Sequence, residues 1–122
     1  MPEIVNHEVV YRGHRAGPSD TSRGVPEPVT KEEAGNISTL DPSYSQRVWN
    51  HSPTGFEWGY FGSGPAQLAL ALLLDVTGDE KLASILHQPF KSQFVALWGR
   101  DWCITSTEIA AWVEARKVGL YV

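Results

Sequence analysis

The sequence predicts an α+β fold, and three observations carry that prediction. Residues 65–77 form a helix-length run that is apolar on every face, LALALLLDV at its centre. Short runs rich in β-branched residues lie upstream, at 4–12, 29–30 and 37–40. Amphipathic helical patterns follow downstream. The architecture expected is a small antiparallel sheet packed on a buried central helix, about 65–77, with three further short helices. With 122 residues, the chain suits a single domain, 1–122, long enough to bury a core without staples.

The elements follow in order. Residues 4–12, IVNHEVVYR, read as a strand. Residues 13–45 hold four of the eight prolines and four of the eleven glycines and read as a loop-rich insertion. Within it, Val29-Thr30 and Ile37–Leu40 are candidate short strands. Gln46–Asn50 reads as another strand and His51–Gly55 as a turn, with Pro53 presetting φ and Gly55 admitting positive φ. Phe56, Trp58 and Tyr60 recur at spacing two, which places them on one face of an extended segment. Trp49 and Trp58 flank the turn and are candidates for a cross-hairpin pair.

In the central helix, Pro65 suits the first helical position, Gly64 the N-cap, and Gln67 the third position, from which its amide reaches back to the cap. On that reading Gln67→Ala costs about 1 kcal/mol or less, one cap bond. A helix apolar all round is enclosed by protein, and at this length it is too short to span a bilayer.

Asp79 caps a helix to about Gln88, with Leu82, Ile85 and Leu86 on one face. Pro89 starts the next, with Phe90, Phe94, Leu97 and Trp98 on its stripe and Gly99 at its end. Thr105 and Glu108 make a capping box, stapled by Ile104 and Ile109, for a last helix burying Ile109, Trp112 and Val113. Gly119 breaks it and leaves Leu120-Tyr121-Val122 for a final strand. Cys103 reads as a small buried hydrophobe.

Composition excludes several function classes. A single cysteine rules out an internal disulfide framework and a cysteine-based zinc site. The four histidines lack metal-ligand spacing, so no metal is expected, and no motif points to a cofactor. A net charge of −4 argues against non-specific nucleic-acid binding. No run is long and apolar enough for a membrane span, and the first fifteen residues lack the pattern of a signal peptide; the expected compartment is cytoplasmic. Arg12, Arg15 and Arg23 interleave with Glu3, Glu8, Asp20 and Glu27, which reads as a solvated mixed-charge surface.

The stretch that invites chemistry is 50–67. Gly59, Gly62 and Gly64 surround a helix N-terminus, an anion attractor, beside aromatics able to stack on a base. The candidate ligand-binding residues are Trp58, Tyr60, Phe61, Gly62, Ser63, Gly64 and Gln67. The spacing G-x-x-G-x-G is not that of a dinucleotide-binding turn, and a tight strand-to-helix turn with packed aromatics explains the same residues. His51 and Glu57 straddle the turn as a candidate base and orienter. They lack a placed nucleophile, and Ser63 is not in a G-x-S-x-G elbow. No catalytic residue is assigned. Five tryptophans are many for this length: Trp98, Trp102 and Trp112 suit the core, and an aromatic left exposed would be an interface anchor.

The string NHSPTGFEWGYFGSGPAQLALALLLD at 50–75 resembles the hallmark of a family of small prokaryotic and phage proteins, a domain of unknown function. The resemblance extends upstream to Tyr11-Arg12-Gly13 and downstream through Phe90-Lys91 to Trp102–Ile109. Phe61 stands where relatives tend to carry glycine. The resemblance implies a shared fold and a shared 50–67 segment, and no reaction.

The expected function is a non-enzymatic interaction protein, with a phage or mobile-element accessory role acting on a host protein as its extension. The alternative is a small-ligand module that binds a nucleotide or other phosphate at the 58–67 turn. A small hydrolase stands third. The expected partner is thus a protein or a small phosphate-bearing ligand, and homo-oligomerisation is left open.

Overall fold

Among the described residues, ten elements surround one apolar helix. The computed structural model describes residues 8–17 and 24–120, the side chains of 119 and 120 excepted. Strands β1 (Val9–Gly13), β4 (Thr30–Glu33), β5 (Asn36–Thr39) and β6 (Trp102–Thr105) form an antiparallel sheet in the order β5-β4-β1-β6, and β2 (Arg15–Ala16) pairs with β3 (Val25–Pro26) in a second, two-stranded one. The helices are α1 (Ser43–Val48), α2 (Ser63–Thr77), α3 (Glu80–Gln93) and α4 (Ser106–Leu120), with a single 3-10 turn at Val95–Leu97. The fold is α+β, as the sequence predicts.

Helix α2 is the axis. Every residue from Gly64 to Leu74 is buried, and α1, α3 and α4 all pack against it. Period-two alternation turns Val9, Tyr11 and Gly13 of β1 inward, and Ile104 of β6 pairs beside Tyr11 on the same face. Val9, Tyr11 and Ile104 join the α2 leucines in one core. Gly13 is required by its neighbour: a Cβ there would lie 2.1 Å from Nε1 of Trp102, so only glycine lets the indole cover the end of β1. The Tyr11 hydroxyl emerges from the core to donate to Asp75 on α2 at 2.5 Å, and Lys31 of β4 grips the same carboxylate at 2.7 Å. Burial, then the carboxylate, pushes the Tyr11 pKa up.

Local capping rules hold. Asp79 accepts from the Leu82 N–H at 3.0 Å to start α3. Thr105 and Glu108 form the reciprocal capping box of α4, at 3.1 and 3.0 Å. Ile109 and Val113 are buried, and Trp112 packs against the core.

Several expectations are corrected. Residues 46–50 are not a strand: Asp41 accepts from the Ser43 N–H at 2.9 Å, and the turn it makes with Pro42 starts a short helix instead. Helix α2 begins at Ser63 with Gly62 as its cap, so Pro65 lies at the third position and Gln67 at the fifth. The two helices expected at 79–88 and from Pro89 are one. Pro89 lies inside α3, where its ring removes a single hydrogen bond and burial of Phe90 one residue on outweighs the break. Ile85 and Leu97, placed on buried stripes by spacing, are exposed. β6 is a strand that the pattern around Trp102 did not disclose, and as its side chains alternate Cys103 faces out rather than in.

Leu120 continues α4 instead of opening a strand; residues 121–122 and 4–7 lie outside the described residues. Arg23, of the expected basic surface, also lies outside them. Arg12 fits that surface, paired with Glu32 at 2.7 Å, but Arg15 is buried.

Candidate functional site

The geometry of the 41–67 region depends on Gln67. Its side chain, 0% exposed, uses all four of its hydrogen-bonding positions. Nε2 donates to Ser45 Oγ at 3.0 Å and to the Trp49 carbonyl at 3.1 Å. Oε1 accepts from the His51 N–H at 2.7 Å and the Ser52 N–H at 2.9 Å. Gln46 adds a bond from Nε2 to the Ser52 carbonyl at 2.9 Å. One side chain of the core helix thus holds the end of α1 and the turn after it. Gln67 does not cap its own helix: from the fifth position it faces α1.

The pinned backbone presents an aromatic group. Trp49 is 49% exposed, and its ring stacks on His51 with centroids 4.7 Å apart and planes at 24°. His51 Nε2 lies 2.9 Å from Nε2 of the buried His87. His87 Nδ1 sits 2.8 Å from the Ser84 carbonyl, which can only accept, so Nδ1 carries the proton and Nε2 accepts from His51. Both imidazoles titrate below the usual histidine range. For His51 the causes are burial, then His87 and Lys91; for His87 burial dominates. On the same side, Tyr44 donates to Glu80 at 3.1 Å with the Arg47 guanidinium over its ring at 5.7 Å. His51 and Glu57, read as a base and its orienter, are not together: His51 meets His87, and Glu57 pairs with Arg15. Trp49 and Trp58 do not pair either.

The glycine-rich turn is built differently. Trp58 is 1% exposed, lying under the Arg15 guanidinium at 4.5 Å, edge-on to Trp102 at 5.7 Å and donating to the Arg100 carbonyl at 3.3 Å. Arg15 also donates to the Trp58 carbonyl at 2.8 Å. Gly59 has φ of 87°, and its N–H bonds the Val95 carbonyl at 3.0 Å. A Cβ on Gly64 would meet Glu57 Cβ at 2.5 Å, and one on Gly62 the Tyr60 ring at the same distance. These glycines make room for side chains. Of the candidate ligand residues, Trp58, Gly64 and Gln67 are therefore buried, Tyr60 and Gly62 half-buried, and Phe61 and Ser63 exposed. The aromatic face open to a ligand here is Phe61, 64% exposed, rather than Trp58.

The residue that sequence reasoning missed is His87. Its one available signal is that it falls on the buried face of α3 with Ala83 and Phe90. Among the described residues, no three or more of His, Cys, Asp and Glu gather to hold a metal ion, and no helix is long and apolar enough to cross a membrane.

The fold and this site together define a small α+β domain that presents a pinned aromatic loop on a helical core. The chain belongs to DUF6166, a family of unknown function, which matches residues 11–115 and so takes in the end of β1, the pinned loop, α2 and most of α4. Neither the curated proteins nor the solved structures contain a match to it.

Proposed function

We propose that this is a non-enzymatic interaction protein whose contact surface centres on Trp49. The observation that carries the proposal is a half-exposed indole held in one place from behind, by a buried glutamine bonded to its own carbonyl and to the two amides that follow Asn50. An exposed tryptophan on a rigid backbone loses little freedom on binding, which is what makes such residues interface anchors. Tyr44 and Arg47 extend the surface with residue types enriched at interfaces. The partner is a protein. A phage or mobile-element accessory role, acting on a host protein, is the form this takes if the partner is foreign to the genome that carries the gene.

The test is affinity capture from a prokaryotic lysate with the wild type and Trp49→Ala in parallel, melting of both recorded alongside. Capture of the same protein by the wild type and its loss with Trp49→Ala, at unchanged melting, supports the proposal. Equal capture by both removes Trp49 from the surface. Metabolite turnover with no captured protein overturns the non-enzymatic reading.

A second reading, a module for a nucleotide or other phosphate-bearing ligand at 58–67, is favoured by exposed Phe61 and Ser63 at the start of α2. A thermal-shift screen against nucleotides tests it: a ligand at ~100 times its dissociation constant adds about 2.7 kcal/mol of stability.

A further inference from the structure

We infer that β5 is a self-association edge, pairing with β5 of a second copy of this chain about a two-fold axis at Ser38. The strand ends the sheet, and its residues, Asn36, Ile37, Ser38 and Thr39, are all exposed. Open edges in natural proteins are blunted by lysine, proline, bulges or a covering loop. β5 has no charge and no proline, and it pairs with β4 in regular register from Thr30↔Thr39 to Glu33↔Asn36 without a bulge.

The register says which backbone groups are open. The Leu40 N–H bonds the Val29 carbonyl at 2.8 Å, which makes Val29 and Leu40 a hydrogen-bonded pair of the antiparallel ladder. Alternation then makes Lys31–Ser38 and Glu33–Asn36 bonded pairs, and leaves Ile37 and Thr39 in the non-bonded positions. Their N–H and C=O groups point away from β4, toward the open edge. With a two-fold axis at Ser38, Ile37 of each copy stands opposite Thr39 of the other. All four outward groups of each copy are then used, and the cross-strand neighbours are two β-branched side chains. Ile37, 68% exposed, gains a neighbour on the solvent face of the sheet.

The outward pattern is self-complementary about the axis, and β5, neutral along its length, sets no like charges against each other where two copies of a −4 chain meet. At the axis Ser38 meets only itself. In the adjoining strand β4, Lys31 is held by Asp75 and Glu32 by Arg12 within each copy, while the exposed Glu33 stands at the hairpin end opposite Asn36, away from the axis.

Sedimentation velocity on the full chain, diluted through the micromolar range, tests the inference. The wild type is expected to pass from one copy to two as concentration rises, and Ile37→Lys and Ser38→Glu are expected to stay single throughout. Both side chains are exposed, so at concentrations where the wild type is single neither substitution should move the melting temperature, which is read in parallel. Ser38→Glu puts like charges face to face at the axis and acts even if lysine at 37 is tolerated. In the wild type, exchange of the Ile37 and Thr39 amides should slow with concentration. A wild type that stays single at every concentration overturns the inference, including where β5 proves to bind a foreign strand instead. A dimer that survives both substitutions also overturns it.

Discussion

The Gln67-pinned loop and the β4–β5 hairpin are held in opposite ways. The loop has little regular structure after α1, and it is fixed by one buried side chain that reaches out of the core and bonds to its backbone. The hairpin has a regular ladder and a two-residue turn at Ala34-Gly35, but its outer strand is wholly exposed. One region is ordered by a long-range polar contact and the other by local backbone chemistry. Damage to the first should therefore spread, and damage to the second should stay local.

The largest expected effect follows from Gln67→Met, which keeps the volume and removes the polar head. It strands the Ser52 N–H and takes one partner each from the His51 N–H, the Trp49 carbonyl and the Ser45 hydroxyl, which keep a second bond to one another or to the Pro42 carbonyl, for a loss of about 2–3 kcal/mol. Urea unfolding followed by far-UV circular dichroism measures it. A loss under ~1 kcal/mol would mean that the loop holds itself, and would return Gln67 to the minor role its position in the sequence suggests.

Acid should weaken the same region next. His51 and His87 titrate below the usual range when folded, while in the unfolded chain they take up protons near pH 6.5. The unfolded state thus binds more protons below that pH. Stability should be flat above about pH 7.5, fall as pH drops through about 6.5, and level off once the folded imidazoles titrate. Urea midpoints across this range, with His87→Phe alongside, give the measurement; a slope undiminished in the variant assigns the effect to groups other than His87.

In the hairpin, Gly35→Val should cost about 1–2 kcal/mol: its φ of 83° is one that a β-branched residue adopts poorly, although open space surrounds the position. Hydrogen exchange should show the loss confined to β4 and β5. Smallest of all, Ala34→Asn should raise stability by about 0.5 kcal/mol. Ala34 stands at φ of 52°, which asparagine tolerates better in a turn with positive φ at both central residues. A fall in the melting temperature would show that the turn is not of that type.

What could be read in the sequence follows the same division. The apolar run of α2, the Asp79 cap, the Thr105–Glu108 box and the short strands near 30 and 37–39 are encoded by neighbours within a few positions, and all were legible. β6 was not, because four residues become a strand only beside β1, some ninety positions away, which no local pattern reports. α1 was lost because its β-prone Val48 and Trp49 outvoted the Asp41-Pro42 start. The break at Pro89 was over-read, since propensity says nothing of what burying Phe90 returns. At the site, Trp49 could be flagged as an aromatic in need of a place. The partners of Gln67 lie 15 to 22 positions away and His87 lies 36 from His51, so their union is a property of the packed chain.

The indoles of Trp98 and Trp102 lie nearly parallel, 4.1 Å apart at 15°. Trp98 follows the 3-10 turn after α3, and Trp102 opens β6, so the pair bridges the helical layer and the sheet. Two chromophores at that separation share their excitation. The pair should therefore contribute a near-UV circular dichroism signal of tryptophan origin that is lost when the sheet parts from the helices even if both keep their secondary structure. The molecule thus contains its own gauge of interlayer docking, one that separates loss of tertiary contact from loss of helix without any label.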